Sequence, residues 1–368
     1  MSLSVGAQRI LVSEPRGLTH KHQQTRTMKN VTRLAAVLLA ALTFTTPSQA
    51  QPLVTIDTVT VGDAGNAADS LTGYGSVGYE YNIGQYEVTI GQYTSFLNAV
   101  ATGIGTDGLD LWRPAMETDF NSRGISRTTI SGEGELGGSY SYASIGSGAR
   151  PIAAVTWFNA ARFANWMNNG ATIGASTETG AYTLAGATTG IFTKNAGATY
   201  WIPDQDEWYK AAYYKGGGTN SGYWLYPTQS DTAPGNTIGG DANQANWYDG
   251  DFSVTQDSNY SPTQNYLTEA GLFSNSASAY GTYDQGGNVW EWNGAVVNDT
   301  NRGLNGGSWK EDGGNPNLQS TYNNDLDPTL FGNGVGFRVA TVPEPSTYVL
   351  VLMGAGAVYF WKRRKRSV

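Results

Sequence analysis

The chain has 368 residues, of which 39% are hydrophobic and only 14% charged, with 48 glycines and 11 tryptophans; this suits a loop-rich globular protein with an aromatic core and excludes disorder throughout. The formal charge of −8 understates the acidity of the centre, because residues 51–342 carry 11 Lys/Arg against 28 Asp/Glu, a net −17 that repels nucleic-acid phosphates and favours cations. There is no cysteine, and His20 and His22 are the only histidines, which excludes from the body thiolate catalysis, disulfides, Cys/His zinc sites, imidazole-held iron and a Ser-His-Asp triad.

From Met28 the chain reads as a secretory signal peptide: Lys29 and Arg33, an apolar run from Leu34 to Leu42, and the small-residue site Ser48-Gln49-Ala50. A signal belongs at the true start, so residues 1–27 are expected to precede the working initiator and 28–50 to be removed. The body, 51–342, opens with "LVTIDTVTVG", whose alternation predicts a strand, and "YEYNIGQYEVT" predicts a second strand or strand pair. Thr89 and Gln92 then fit a capping box, and Tyr93, Phe96, Leu97 and Val100 mark one buried helix face. Residues 102–148 predict loops with short strands such as "GSYSYASI".

A second helix is predicted after Val155, with Thr156 as its cap, Trp157, Ala161 and Ala164 on one face, and Asn168-Asn169-Gly170 as its stop. After a loop from Ala171 to Gly180, strands are expected around Tyr182 and Phe192. Pro203 leads into a third helix capped by Asp204 with Glu207 closing the box, and "KGGG" ends it. Beyond residue 216 turn signals and short aromatic runs dominate.

The end, Pro343-Glu344-Pro345, an apolar run from Tyr348 to Trp361 and the basic finish Lys362 to Arg366, resembles a PEP-CTERM sorting signal of Gram-negative bacteria, spanning 343–368. The resemblance implies export, transient membrane retention through residues 348–361, and processing by an exosortase-type enzyme that delivers the body to the cell surface or extracellular matrix. A permanent single-span anchor is the alternative, although 14 apolar residues fall short of the roughly 20 a comfortable span needs.

Within the body, "YEVTIGQYTSFLNAV", "PIAAVTWFNAARFANWMNN", "YWIPDQDEWYKAAYYKGGG", "ANWYDGD", "GTYDQGGNVWEWNG", "RGLNGGSW" and "GFRVA" occur in that order. Together they resemble the formylglycine-generating enzyme, or sulfatase-modifying factor, family over about residues 55–341. The resemblance implies an α+β, C-type-lectin-like fold, loop-rich with few helices. It also implies calcium: one set of ligands maps to the Asp284 side chain, the Gly287 and Val289 carbonyls and the Glu291 carboxylate. A second maps to Asn246 and the Trp247 carbonyl, with Asp257, Ser258 and the Tyr260 carbonyl as candidates. Hard cations accept 6 to 8 such oxygen ligands. The other reading of Glu291 is a solvated carboxylate or one paired to an arginine such as Arg338, while Trp290 and Trp292 are expected in the core.

The family's oxidation of a substrate cysteine uses copper held by a cysteine pair shortly before "GFRVA". Here Asn315 and Ser320 stand near those places, and neither replaces a thiolate for copper(I). Copper is therefore not expected. The sequence points to a calcium-stabilised, non-catalytic binding module for glycan or surface protein, with Trp224, Tyr226, Trp247, Tyr248, Trp309 and Tyr322 as flat faces that either bind or bury. Two enzymatic alternatives stand beside it: an oxidoreductase of the same family with an altered site, and a carboxylate-pair hydrolase drawing on Asp204, Asp206, Glu207, Asp249 or Asp251.

Overall fold

The computed structural model describes residues 51–103, 109–131, 139–310 and 316–343. The predicted signal segment, the residues before it, Asn315 and the apolar run 348–361 lie outside the described residues. Among the described residues no helix is long and apolar enough to cross a membrane.

In chain order the elements are β1 (Thr58–Val61), β2 (Tyr81–Gly84), α1 (Ile90–Val100), α2 (Ala115–Thr118), β3 (Ile125–Ser131), β4 (Ser139–Ser144), α3 (Trp157–Asn168), β5 (Tyr200–Trp201), α4 (Gln205–Tyr213), β6 (Trp290–Val297), β7 (Asn301–Asn305), β8 (Asn324–Leu326), β9 (Val335–Gly336) and β10 (Ala340–Thr341). Three sheets result, ordered β1-β2-β10-β5, β3-β4 and β8-β7-β6-β9. The last strand, β10, pairs antiparallel with both β2 and β5, so the two ends of the body close one sheet.

All three long helices begin where the sequence predicts, each with a reciprocal capping box: Thr89 with Gln92, Thr156 with Asn159, and Asp204 with Glu207. Such boxes satisfy two backbone donors that a helix start otherwise leaves unpaired. The box on α3 uses an asparagine, a residue outside the usual Glu/Gln pattern, so only its cap was legible. The expected single apolar face of α3 is also too narrow, since every residue from Trp157 to Met167 is buried. Its Phe163 lies 5.5 Å from Phe96 of α1 and 5.5 Å from Phe337, and Trp166 lies 5.4 Å from Phe96. Centroid spacings of this kind are those of favourable aromatic pairs, and truncating such a ring to alanine typically costs about 3–5 kcal/mol.

Two strand expectations need correction, the extent of the first strand and the strands around Tyr182 and Phe192, while the short strands expected within 102–148 are present. The first strand is confined to Thr58–Val61, because upstream the Leu53 amide pairs with Ala171 rather than with a ladder. The stretch before β4 contributes a further strand, β3, which forms a two-stranded sheet with it. Neither Tyr182 nor Phe192 lies in a strand. The Asn165 side chain of α3 bonds both the amide and the carbonyl of Tyr182, and Arg302 takes the Phe192 carbonyl. Buried backbone groups need partners, and side chains supply them here in place of a sheet.

Between α4 and β6, residues 214–289 hold no helix or extended strand. Aromatic clusters pin this stretch instead: Phe252, Tyr266, Leu267, Val289 and Trp309 form one, and Tyr226, Ala245, Trp247 and Leu318 another. Tyr266 stacks on Trp309 at 4.8 Å with the planes only 7° apart.

Candidate functional site

The "GGNVWEW" stretch turns sharply before entering β6. Gly287 sits at φ +86, and a Cβ there would lie 2.4 Å from the Asn246 carbonyl oxygen, so glycine is required on both counts. The Asn288 amide donates to that same carbonyl, and the Trp290 amide donates to Gly334. These bonds aim the next carboxylate inward. Trp290 and Trp292 are buried, as expected, with the Trp292 indole N–H on the Val155 carbonyl.

Glu291 is fully buried and holds Arg338. The Arg338 Nε lies 2.6 Å from Glu291 Oε2, and its Nη2 lies 2.7 Å from Oε1. The Trp208 indole of α4 donates to Oε2 at 2.8 Å. The remaining guanidinium hydrogens go to the carbonyls of Gly84, Gln85 and Tyr283. One buried arginine thus ties β2, the loop before β6, and β6 itself through a bidentate, charge-assisted pair.

Two further acids complete the cluster. Asp284, in the left-handed region at φ +59, accepts from the Gly271 amide at 2.5 Å. Burial pushes its carboxyl up to about 6, Glu291 adds to this, and the Gly271 bond and Arg338 oppose it. Glu87 is 2% exposed, and neither of its oxygens receives a hydrogen bond from another described residue. Burial, then Asp284 and Glu291, raise its carboxyl well above the ordinary range, with Arg338 opposing. Burial lowers the Arg338 guanidinium, but Glu291, Glu87 and Asp284 together outweigh it and hold the group above its ordinary value. Glu291 contacts the guanidinium directly, Glu87 and Asp284 act on it through their charge, and burial disfavours the charged form of both of these acids.

The calcium ligands implied by resemblance fit this arrangement poorly. The Arg338 guanidinium engages both Glu291 oxygens, so Glu291 is an ion-pair residue here; of the alternative readings, the pair with Arg338 is the one the geometry adopts. Asp284 lies near it in the cluster, while Gly287 and Val289 serve the turn and the adjoining aromatic core. In the second set Asn246 and Trp247 are buried, whereas Asp257 and Tyr260 are exposed. The Asn246 amide donates to Tyr266 and Asn288, the Trp247 carbonyl accepts from Ser253, and Asp257 Oδ1 accepts from Asn259. Among the described residues no three acidic, histidine or cysteine side chains group into a metal-binding set.

The acids considered for hydrolysis have structural duties. Asp204 caps α4, Asp206 accepts from the Gly75 amide, and Asp251 accepts from the Asn236 side chain. Glu207, fully buried, accepts from the Asp204 amide, the Trp201 indole, the Tyr79 hydroxyl and Lys194. Asp249 is exposed. Of the proposed flat faces, Tyr226, Trp247 and Trp309 are buried, while Trp224, Tyr248 and Tyr322 stay partly exposed, with Lys215 seated over Trp224 at 4.1 Å. Ser320 is buried.

Sequence reasoning overlooked an open groove of about 350 Å³ lined by Asp69, Leu71, Tyr214, Lys215, Asn220 and Tyr223. Its residues come from two distant segments, one of them the glycine-rich turn after α4, and no local pattern joins them. Glu87 was equally unmarked, although a single carboxylate just ahead of an apolar helix is a signal in itself.

Stability should depend on pH in a definite direction. Asp204 and Asp284 are both pushed up to about 6, chiefly by burial. An acid whose folded value lies above its unfolded one binds protons more tightly when folded, so stability rises as pH falls through 6. Glu178 and Asp327 are shifted downward, so the stabilisation they supply is lost only at lower pH. Thermal melts should therefore give a Tm higher by several degrees, on the order of 5 °C, at pH 5 than at pH 7.5. A Tm that falls over this interval would contradict the assigned burial of these carboxyls.

Compared with known proteins, residues 69–342 match the sulfatase-modifying factor enzyme 1-like domain, and residues 341–366 match the PEP-CTERM protein-sorting motif. Among solved structures, CarF is 22% identical with a TM-score of 0.44, the match covering 79% of this chain and 99% of that one. Variable protein 1 of Treponema denticola is 17% identical with a TM-score of 0.44, covering 79% and 96%. PvdO from Pseudomonas aeruginosa is 16% identical with a TM-score of 0.35, covering 79% and 93%. None of the curated proteins matches the chain.

Proposed function

The chain belongs to the sulfatase-modifying factor enzyme 1-like family, and from that premise we propose that it is a non-catalytic member, an exported module that binds a neutral glycan at the cell surface or in the matrix. The sorting motif marks it for export to the cell envelope or surface and for recognition by an exosortase-type enzyme. One observation carries the non-catalytic reading: the whole sequence lacks cysteine, and its only histidines are at 20 and 22. Copper(I) selects thiolate, and non-haem iron centres use imidazole, so the scaffold offers neither of the donors on which the family's redox chemistry rests.

The groove beside α4 supports binding. Its volume falls within the range of small-ligand sites, and it combines tyrosine rings with amide, hydroxyl, ammonium and carboxylate groups. Leu71, 74% exposed, gives its rim an apolar face. The body's net −17 disfavours acidic polymers, which leaves neutral sugars as the favoured class.

The test uses the exported chain. It should bind neutral matrix polysaccharide with little dependence on salt, and the paired substitution Leu71→Ser with Asn220→Ala should weaken binding at least tenfold at unchanged Tm. Incubated with copper and a cysteine-bearing peptide, it should leave the thiol unconverted. Formation of an aldehyde would establish the altered oxidoreductase instead, and unchanged binding in the paired variant would remove the groove from the account.

A further inference from the structure

Residues 257–261 read Asp-Ser-Asn-Tyr-Ser. Asn259 thus begins an Asn-X-Ser acceptor sequence, with tyrosine in the middle place and an acid two residues upstream. Acceptor asparagines belong on surface loops of exported chains, and this loop meets that condition, since residues 255–260 are all exposed. We propose that Asn259 is an N-glycosylation site, the acceptor for an oligosaccharide delivered on a lipid pyrophosphate. The proposal rests on export of the chain alone and is independent of the binding reading.

Local geometry favours this asparagine. Asp257 Oδ1 accepts from both the Asn259 backbone amide and the Asn259 Nδ2, each at 2.9 Å. The carboxylate fixes the turn and draws the amide N–H toward itself, which raises electron density on a nitrogen that is otherwise a weak nucleophile. Behind it the loop is anchored: the Ser261 amide donates to the Tyr266 hydroxyl, Tyr260 stacks on Tyr266 at 5.9 Å, and the Tyr260 hydroxyl reaches Asn121. The anchor lies on the protein side, and the Asn259 side chain lies on the solvent side. A glycan there would project outward without displacing core contacts.

The transfer step balances without a redox partner. The Asn259 Nδ2 forms a bond to the anomeric carbon of the donor sugar, the bond from that carbon to the pyrophosphate oxygen breaks, lipid pyrophosphate leaves, and the displaced amide proton passes to a base of the transferase.

The chain carries its own comparison site. Asn298-Asp299-Thr300 is also an Asn-X-Thr sequence, exposed at the tip of the β6–β7 hairpin, where Asn298 and Asp299 both have positive φ. Two residues upstream stands Val296, not an acid. A transferase that reads the upstream carboxylate should modify Asn259 and leave Asn298 bare.

The experiment exports the full chain in a Gram-negative host carrying an oligosaccharyltransferase that requires an acid two places before the acceptor, its lipid-pyrophosphate oligosaccharide donor, and a control acceptor protein. Peptide mass spectrometry should find one glycan, on Asn259, absent from both Asn259→Gln and Asp257→Ala. Val296→Asp should add a second, on Asn298. A bare Asn259 beside a glycosylated control would overturn the proposal, as would equal modification of the Asp257→Ala variant.

Discussion

Replacing Arg338 with methionine should cost at least about 3–5 kcal/mol, the usual penalty for leaving a buried charge without its partner. The expected loss lies at the upper end because Glu87, Asp284 and Glu291 all draw on this one guanidinium. Against a total stability of about 5–15 kcal/mol for a folded domain, the variant should be substantially unfolded at 37 °C. The side chain also supplies donors to Gly84, Gln85 and Tyr283, so its loss frees three segments at once. Pairing the change with Glu291→Met should restore part of the deficit, since an apolar pair of similar volume often replaces a buried ion pair without net cost. Urea unfolding followed by tryptophan fluorescence measures both. An Arg338→Met chain with an unchanged midpoint and slope would show that the cluster contributes nothing to folding.

Glu207→Ala is expected to destabilise by about 3 kcal/mol, combining a lost cap with buried donors left unpaired. The wild-type carboxylate receives the Asp204 amide, the Trp201 indole and the Tyr79 hydroxyl within 2.7–2.8 Å. Removing it strands the indole in a buried setting and opens a void beneath the first turn of α4. Asp204→Ala removes only the other half of the box and should cost about 1 kcal/mol. The ratio between the two variants is the informative quantity. Equal losses from the two would mean that Glu207 acts as a cap and nothing more.

The site shows how the same motif supports two physical outcomes. "NVWEW" reads as a carboxylate between two indoles, and the stretch alone leaves open whether a cation or a guanidinium faces Glu291. Arg338 lies 47 residues further on, in "GFRVA", and reaches Glu291 because β9 pairs parallel with β6. Asn246 and Asp257 illustrate the converse. The family resemblance implies a shared ligand shell for them, and in the structure the aromatic packing of the intervening segment buries Asn246 and leaves Asp257 in solvent.

What the amino-acid sequence determined by itself was local or additive: three helix starts set by residues three apart, the exclusion of sulfur and imidazole chemistry by composition, the acidity of the body, and membership of a family through motifs in fixed order. Tertiary structure alone decided the partner of Glu291, the isolation of Glu87, the fate of Tyr182 and the groove around Tyr223. Capping and periodicity act within one helical turn and are written in adjacent residues. Burial, ion pairing and cavity shape instead depend on segments brought together by a long loop with no regular hydrogen-bond ladder, where side chains such as Asn165 and Arg338 do the joining that a sheet would otherwise do.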